Sequence, residues 1–268
     1  MSVEEFRNQV AKKERFEFGR NWKSFLNTLS AMQIKQAESS LAEMLGVDDL
    51  VDKTFLDVGS GSGLFSLAAR NLGAKVTSFD FDENSVWCTA ELKSRFHPED
   101  DKWKVLQGSV LDSDFLSTLD NFDYVYSWGV LHHTGDMWAA LDNVANLVNK
   151  EGSLFIALYN HQQFASCYWT FVKKSYNRYL LVRPFWIFIH FLYPTLPSVF
   201  LKLIQNRKVP RGMKVWYDLL DWLGGYPFEV SKPKDIFNFY KARGFVLREI
   251  NTVGGKLGCN EYVFLRKN

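Results

Sequence analysis

A short apolar run, Phe55-Leu56-Asp57-Val58, leads into Gly59-Ser60-Gly61-Ser62-Gly63, so a carboxylate stands just ahead of three alternating glycines. Backbone without side chains lets a ligand lie close against it, and a glycine turn between strand and helix is where open α/β sheets bind nucleotides. A second acid, Asp80, ends the next apolar run 21 positions after Gly59. That is near the offset at which a carboxylate accepts hydrogen bonds from ribose hydroxyls. The dinucleotide pattern G-x-G-x-x-G needs a third glycine at 64 or, counted from Gly61, at 66, and those positions hold Leu64 and Ser66. Asp57 beside the turn repels a pyrophosphate and attracts the cationic end of a sulfonium amino acid. The turn therefore suits S-adenosylmethionine better than NAD.

Methyl transfer from a sulfonium is an in-line displacement with a neutral leaving group, so alignment and desolvation supply much of the rate. A base is needed only where the acceptor carries a proton. His132 and His133 follow the apolar run 122–127, at the end of an expected strand where doubly wound sheets bind ligands. They are the first candidates for that base, His132 ahead of His133, and His161 is a third. A histidine that merely caps a helix or packs in a loop is the competing reading for all three. Cys88, Cys167 and Cys259 form no C-x-x-C pair, so neither a zinc site nor a disulfide framework is indicated, and no metal is expected.

The elements that must hold these residues alternate. Residues 54–58, 74–79, 103–106, 122–127 and 153–158 read as buried strands, with helices expected at 64–72, 84–96 and 138–148. Repeated strand–helix–strand units imply a parallel sheet. One helix is expected from Asn21 to Leu45, carrying Trp22, Phe25, Leu29, Met32, Ala37 and Leu41 on one stripe until Gly46 stops it. Beyond His161 the pattern gives way to aromatic and basic residues and returns only near Ser231, which is expected to cap a helix running to Gly244 with Pro233 in its first turn. Strands at 245–250 and 262–265 close the chain as a hairpin. The expected organisation is a helical cap over 1–50, a cofactor-binding core over 51–160, an apolar insertion over 161–230 and a completing helix and hairpin over 231–268.

The D-x-G-x-G-x-G turn, the acid ending the second strand, and the run Phe122-Asp123-Tyr124-Val125-Tyr126-Ser127-Trp128-Gly129-Val130-Leu131-His132-His133 resemble class I S-adenosylmethionine-dependent methyltransferases. Those of ubiquinone and menaquinone biosynthesis, and related small-molecule methyltransferases, are the nearest in pattern. The resemblance covers roughly 55–158 and implies a Rossmann-like, doubly wound seven-stranded sheet, mostly parallel with one antiparallel strand. It implies that Asp57, Gly59 and Gly61 face the methionine end of the cofactor, Asp80 the ribose, and Ser109 with Val110 the adenine. Ser60, Phe81, Ser127 and Trp128 complete the implied contact set. Many relatives carry an acid where Ser109 stands, and Asp112 is the candidate to replace it. Trp22 lies in a stretch, 18–22, similar to the N-terminal lid of several relatives; a core tryptophan anchoring the cap helix is the equal alternative. Base-directed amino methyltransferases carry an N/D-P-P-Y motif where this chain has Ser127-Trp128-Gly129-Val130, so methylation of nucleic-acid amines is not indicated.

Lys and Arg total 32 against 30 Asp and Glu, a formal charge of +2 that gives no general drive toward a phosphate backbone. The N-terminus shows no signal-type apolar stretch, and with the cysteine pattern this points to the cytoplasm. Within the insertion, residues 184–201 contain no charged side chain, and Arg178, Arg183, Lys202, Arg207 and Lys208 flank them. Pro194, Pro197 and His190 argue against a membrane span. A peripheral contact with the inner face of a membrane, taking an amphiphilic acceptor from it, is one reading. A buried lid or a homodimer face is the other. Residues 216–229 mix aromatics with acids and suit a ring, sugar hydroxyls or a packed turn. The expected activity is methyl transfer, O-methylation foremost, to a small or amphiphilic molecule such as a quinone precursor or modified sugar. An RNA or protein methyltransferase, or a cofactor-binding scaffold without turnover, stand as alternatives.

Overall fold

The computed structural model describes residues 8–12, 14–16, 19–192 and 215–267. Seven strands, β1 (Thr54–Val58), β2 (Lys75–Asp80), β3 (Trp103–Gln107), β4 (Phe122–Trp128), β5 (Val148–Tyr159), β6 (Phe245–Asn251) and β7 (Cys259–Arg266), form one sheet in the order β3-β2-β1-β4-β5-β7-β6. The first five are mutually parallel, and β7 runs antiparallel to both β5 and β6. This is the mostly parallel, Rossmann-like sheet that the motifs imply, with its single reversed strand.

Period-two alternation explains why both sheet faces are covered. Phe55, Tyr126, Phe155 and Val263 join one buried cluster, while their chain neighbours Leu56, Val125, Ile156 and Phe264 join the other. The first cluster is closed by α2 (Ala31–Leu45), α3 (Leu64–Asn71) and α4 (Glu83–Phe96), through Ile34, Leu41, Leu67 and Leu92. On the opposite face α6 (Met137–Asn146) and α10 (Pro233–Lys241) contribute Leu141, Val144, Ile236 and Tyr240. The short α5 (Ser113–Ser117) links β3 to β4.

Several boundaries differ from the expected ones for local reasons. The single N-terminal helix is two, α1 (Gly19–Leu26) and α2, because Ser30 forms a capping box with Gln33 and starts a new helix. Met32 consequently points to solvent instead of joining the apolar stripe. Strand β5 begins at Val148, where helix was expected to continue, since Phe122 pairs with Val148 before the ladder resumes between Tyr124 and Ser153. Ser231 does not cap α10. Its backbone N–H donates to Tyr159 O and its carbonyl accepts from His161, while Lys232 takes the cap position without a side-chain bond.

The insertion has its own small core. Helices α7 (Gln163–Arg178), α8 (Arg183–His190) and α9 (Val215–Gly224) gather Trp169, Val172, Tyr176, Leu219, Leu223 and Phe228 around Tyr159 at the end of β5. Of the uncharged run, 193–201 lie outside the described residues, with Pro194, Pro197, Lys202, Arg207 and Lys208; so do Phe18 and the side chains of 215–218 and 221. No helix among the described residues is long and apolar enough to cross a membrane.

Candidate cofactor and acceptor site

The glycine turn leaves β1 with Gly59, Gly61 and Gly63 at φ of 75°, 55° and 80°, a left-handed region in which a side chain is strained. Gly59 and Ser60 donate to Phe79 O at 2.8 and 3.1 Å, tying the turn to the end of β2. Asp80 completes the bracket: Oδ2 accepts from Gly61 N–H and Oδ1 from Asp82 N–H, each at 2.9 Å. The carboxylate expected to meet a ribose therefore also shapes the glycine turn, and Phe81 directly follows it in the chain.

Asp57 is held from behind. Trp103 Nε1 donates to Ser78 Oγ (2.9 Å), Ser78 donates to Ser66 Oγ (2.7 Å), and Ser66 donates to Asp57 Oδ2 (2.5 Å). This relay is fully buried and fixes the carboxylate's orientation. Nothing in the sequence marked Ser66, Ser78 or Trp103, because the relay joins a helix and two strands that meet only in the fold.

Burial pushes Asp57 up to about 7, with the Asp80 charge adding to it against the Ser66 bond. Burial likewise raises Asp80 to about 6 despite the N–H groups of Gly61 and Asp82. Among the described residues no basic side chain offsets either shift, so within them both carboxyls stand short of positive charge. A ligand with a sulfonium and an ammonium supplies that charge. A Cβ added to Gly61 would lie 3.2 Å from Trp22 Nε1, so the indole covers the turn closely while its own edge packs on Phe25. Helix α1 reaches this position because Asp82, already capping α4, accepts from Gly19 N–H at 2.9 Å. Asp82 is a positioning residue that sequence reasoning missed. The lid and core readings of Trp22 are thus not exclusive: it packs on the sheet-face cluster and faces the turn.

The remaining implied contacts are placed less directly. Ser109 and Val110 are buried beyond β3, with Ser109 Oγ accepting from Leu111 N–H and Val110 O from Asn143. Asp112 Oδ1 accepts from Asp114 and Phe115 to cap α5, so the carboxylate considered as an adenine contact already serves the helix. Ser127 is buried and donates to Val58 O (2.9 Å), clamping β4 to the end of β1. Trp128 Nε1 donates to Glu261 on β7 (2.7 Å).

At the adjoining strand ends, His132 and His133 lie in a short 3₁₀ turn, 131–133, with their rings 4.4 Å apart and that of His132 3.9 Å from Tyr159. His133 Nδ1 lies 2.6 Å from Pro227 O; a carbonyl only accepts, so Nδ1 carries the proton and Nε2 is the ring's acceptor atom. His132 is the reverse. Its Nδ1 accepts from Tyr159 N–H (3.3 Å), leaving a proton on a buried, unpartnered Nε2. Burial depresses both, His133 to about 3 and His132 well below its usual range, with neighbouring positive charge adding to it. The two rings thus hold opposite tautomers, His133 protonated on Nδ1 and His132 on Nε2. His161 stands apart in role, its Nδ1 accepting from Gln163 N–H at the start of α7 (3.3 Å).

Three further residues shape this end. Arg15 donates to the carbonyls of His133 (2.7 Å) and Thr134 (2.9 Å). Glu229 accepts from Met137 N–H at the start of α6, so the last of the three acids in the 216–229 stretch holds a helix N-terminus. Lys173, buried on α7, donates to Trp222 O and lies 4.3 Å from the Trp222 ring, 4.9 Å from that of Phe228 and 5.8 Å from that of Tyr159. Among the described residues no group of three His, Cys, Asp or Glu is placed to hold a metal.

A family model described as a methyltransferase domain matches residues 23–194. The chain is 28% identical over 116 residues to a ubiquinone biosynthesis O-methyltransferase of Glaesserella parasuis, covering 41% of this chain and 47% of that protein. It is 32% identical over 117 residues to the human mitochondrial ubiquinone biosynthesis O-methyltransferase, covering 43% and 31%. It therefore spans about half the length, or less, of these curated relatives. Among solved structures, magnesium protoporphyrin IX methyltransferase from Synechocystis PCC 6803 with bound SAH superposes with a TM-score of 0.54 at 15% identity, covering 87% of this chain and 83% of that one.

Proposed function

Because the chain belongs to the methyltransferase-domain family, and with it to the class I S-adenosylmethionine-dependent methyltransferases, we propose that it methylates a hydroxyl on a small or amphiphilic acceptor at the ends of β4 and β5. The observation that carries this reading is the pair of carboxyls raised by burial around the glycine turn, together with the buried histidine pair at the end of β4. The relatives named for ubiquinone biosynthesis support oxygen as the acceptor atom.

Bound S-adenosylmethionine supplies a methyl group on a positively charged sulfur that leaves as a neutral thioether. Asp57 and Asp80 hold the cationic and ribose portions, and Trp22 excludes water from the turn. On the acceptor side, His132 Nε2–H donates a hydrogen bond to the acceptor oxygen, and His133 Nε2 receives the hydroxyl proton. A base whose conjugate acid sits near pH 3 is weak at neutral pH. The reading therefore favours an acidic hydroxyl, such as a phenol or enol, over an aliphatic alcohol. Calorimetric titration with S-adenosylmethionine tests the cofactor site; absence of binding, or undiminished affinity in Asp80→Ala, refutes it. Transfer of labelled methyl groups into a size-fractionated cell extract tests the acceptor class. Label in small molecules or lipids supports the proposal, and label confined to RNA or protein overturns it.

A further inference from the structure

Among the described residues, nineteen large apolar side chains are exposed, and ten of them fall within 164–192. This is where α7 and α8 lie. The inner face of α7 carries Trp169, Val172 and Tyr176 into the insertion's core, whereas Phe164, Tyr168 and Phe171, one helical stripe, face outward. Phe164 is 84% exposed and Phe171 64%. Helix α8 repeats the division, with His190 buried and Phe185 and Phe188 outward, the latter 64% exposed. Leu181, in the connecting turn, is 94% exposed. The two outer faces are continuous, since the Trp186 ring lies 6.3 Å from Phe171 and 5.1 Å from Phe185. Such clustering marks a surface built to be covered.

Charge identifies the cover. Between Glu151 and Asp218 the sequence holds nine Lys and Arg and no Asp or Glu. Removing those nine from the total of 32 leaves 23 basic against 30 acidic residues elsewhere, so this segment is cationic and the rest of the chain is anionic. Lys174 and Arg178 are exposed on the same helix as the outward aromatics. Aromatics that penetrate, with the exposed cations Lys174 and Arg178 on the same helix remaining at the surface, match an anionic lipid leaflet. A second copy fits poorly, because a two-fold interface sets the patch against itself and brings like charges together with no acids to pair them. We propose that the outer face of α7 and α8 docks this protein on anionic bilayers.

The consequence reaches the acceptor site. The same α7 that presents Phe171 outward carries Lys173 inward to the ring of Tyr159, against which His132 packs. One helix thus separates the lipid surface from the histidines. The docking inference does not depend on which acceptor is methylated.

Flotation of the purified full chain with phosphatidylcholine vesicles, with and without phosphatidylglycerol, tests it. Co-flotation only with the anionic vesicles, weakened by salt, is expected. Phe164→Ser with Phe188→Ser should weaken binding by roughly tenfold or more per residue. Lys174→Gln with Arg178→Gln should weaken it roughly fivefold per residue. Circular dichroism and S-adenosylmethionine affinity, both unchanged, show that each variant is folded. Failure of the wild type to float with anionic vesicles overturns the proposal. So does equal binding to neutral vesicles, or a stable dimer in analytical ultracentrifugation that the aromatic substitutions dissolve.

Discussion

Affinity for S-adenosylmethionine should rise as pH increases from 5 to 8, because the cationic ligand must meet carboxylates that the empty fold prefers to keep protonated. Burial raises Asp57 to about 7 and Asp80 to about 6, from an ordinary value of 3.8. A bound positive charge favours the ionised forms and draws both values back down. At pH 5, ionising Asp80 alone against its free-state value weakens binding about tenfold, and Asp57 alone by about a hundredfold. The two groups interact, so their steps belong to the pair, and the full span lies between about tenfold and about a thousandfold. Titration calorimetry across this range, in two buffers of different ionisation enthalpy, reads both the affinity and the protons released. S-adenosylhomocysteine, with a neutral sulfur, should show a shallower dependence. Affinity constant from pH 5 to 8, or proton uptake on binding near pH 6, refutes the reasoning. The same shifts set the stability of the ligand-free protein. A carboxyl whose folded value is raised stabilises the native state on the acid side of its unfolded value, and this contribution is lost as pH rises through 6 to 7.

His132 and His133 act in the opposite sense. Their folded values are lowered by burial, so they stabilise above about 6.5 and lose that contribution as pH falls toward 3. Replacing both by Asn should therefore flatten the loss of stability between pH 4 and 7 in denaturant titrations; an unchanged slope contradicts the assignment. His133→Asn should lower kcat by about a hundredfold with little change in KM, since Asn still reaches Pro227 O as a donor; equal kcat in a labelled-methyl assay removes His133 from the reaction. Gly61→Ala places a Cβ 3.2 Å from the Trp22 indole at a left-handed φ, and should cost about 1–3 kcal/mol of stability together with cofactor affinity, both read by thermal shift with and without ligand. Trp169→Ala empties the centre of the insertion's core and should destabilise by about 3–5 kcal/mol in calorimetry; a change under about 1 kcal/mol shows that this core does not pack as described.

The parts of this protein visible in its sequence are those built from neighbours along the chain. Asp57 and the glycines after it are consecutive, and the alternation of strands and helices registers in windows of ten residues, so the sheet and its cofactor turn were legible before any coordinates. The helix break at Ser30 was locally encoded too, in a capping box that the longer apolar stripe concealed. What only tertiary structure decided is how distant polar atoms meet. The Trp103–Ser78–Ser66 relay behind Asp57 crosses three elements, and Asp82 draws the N-terminal helix over the turn from 63 positions away. The histidine tautomers depend on Pro227 O and on Tyr159 N–H, which approach through the packing of the insertion. Local periodicity reports which residues a segment buries. Which proton a buried ring keeps, and how far burial moves a carboxyl's titration, follow from groups brought together across the chain, and a linear pattern carries no record of that distance.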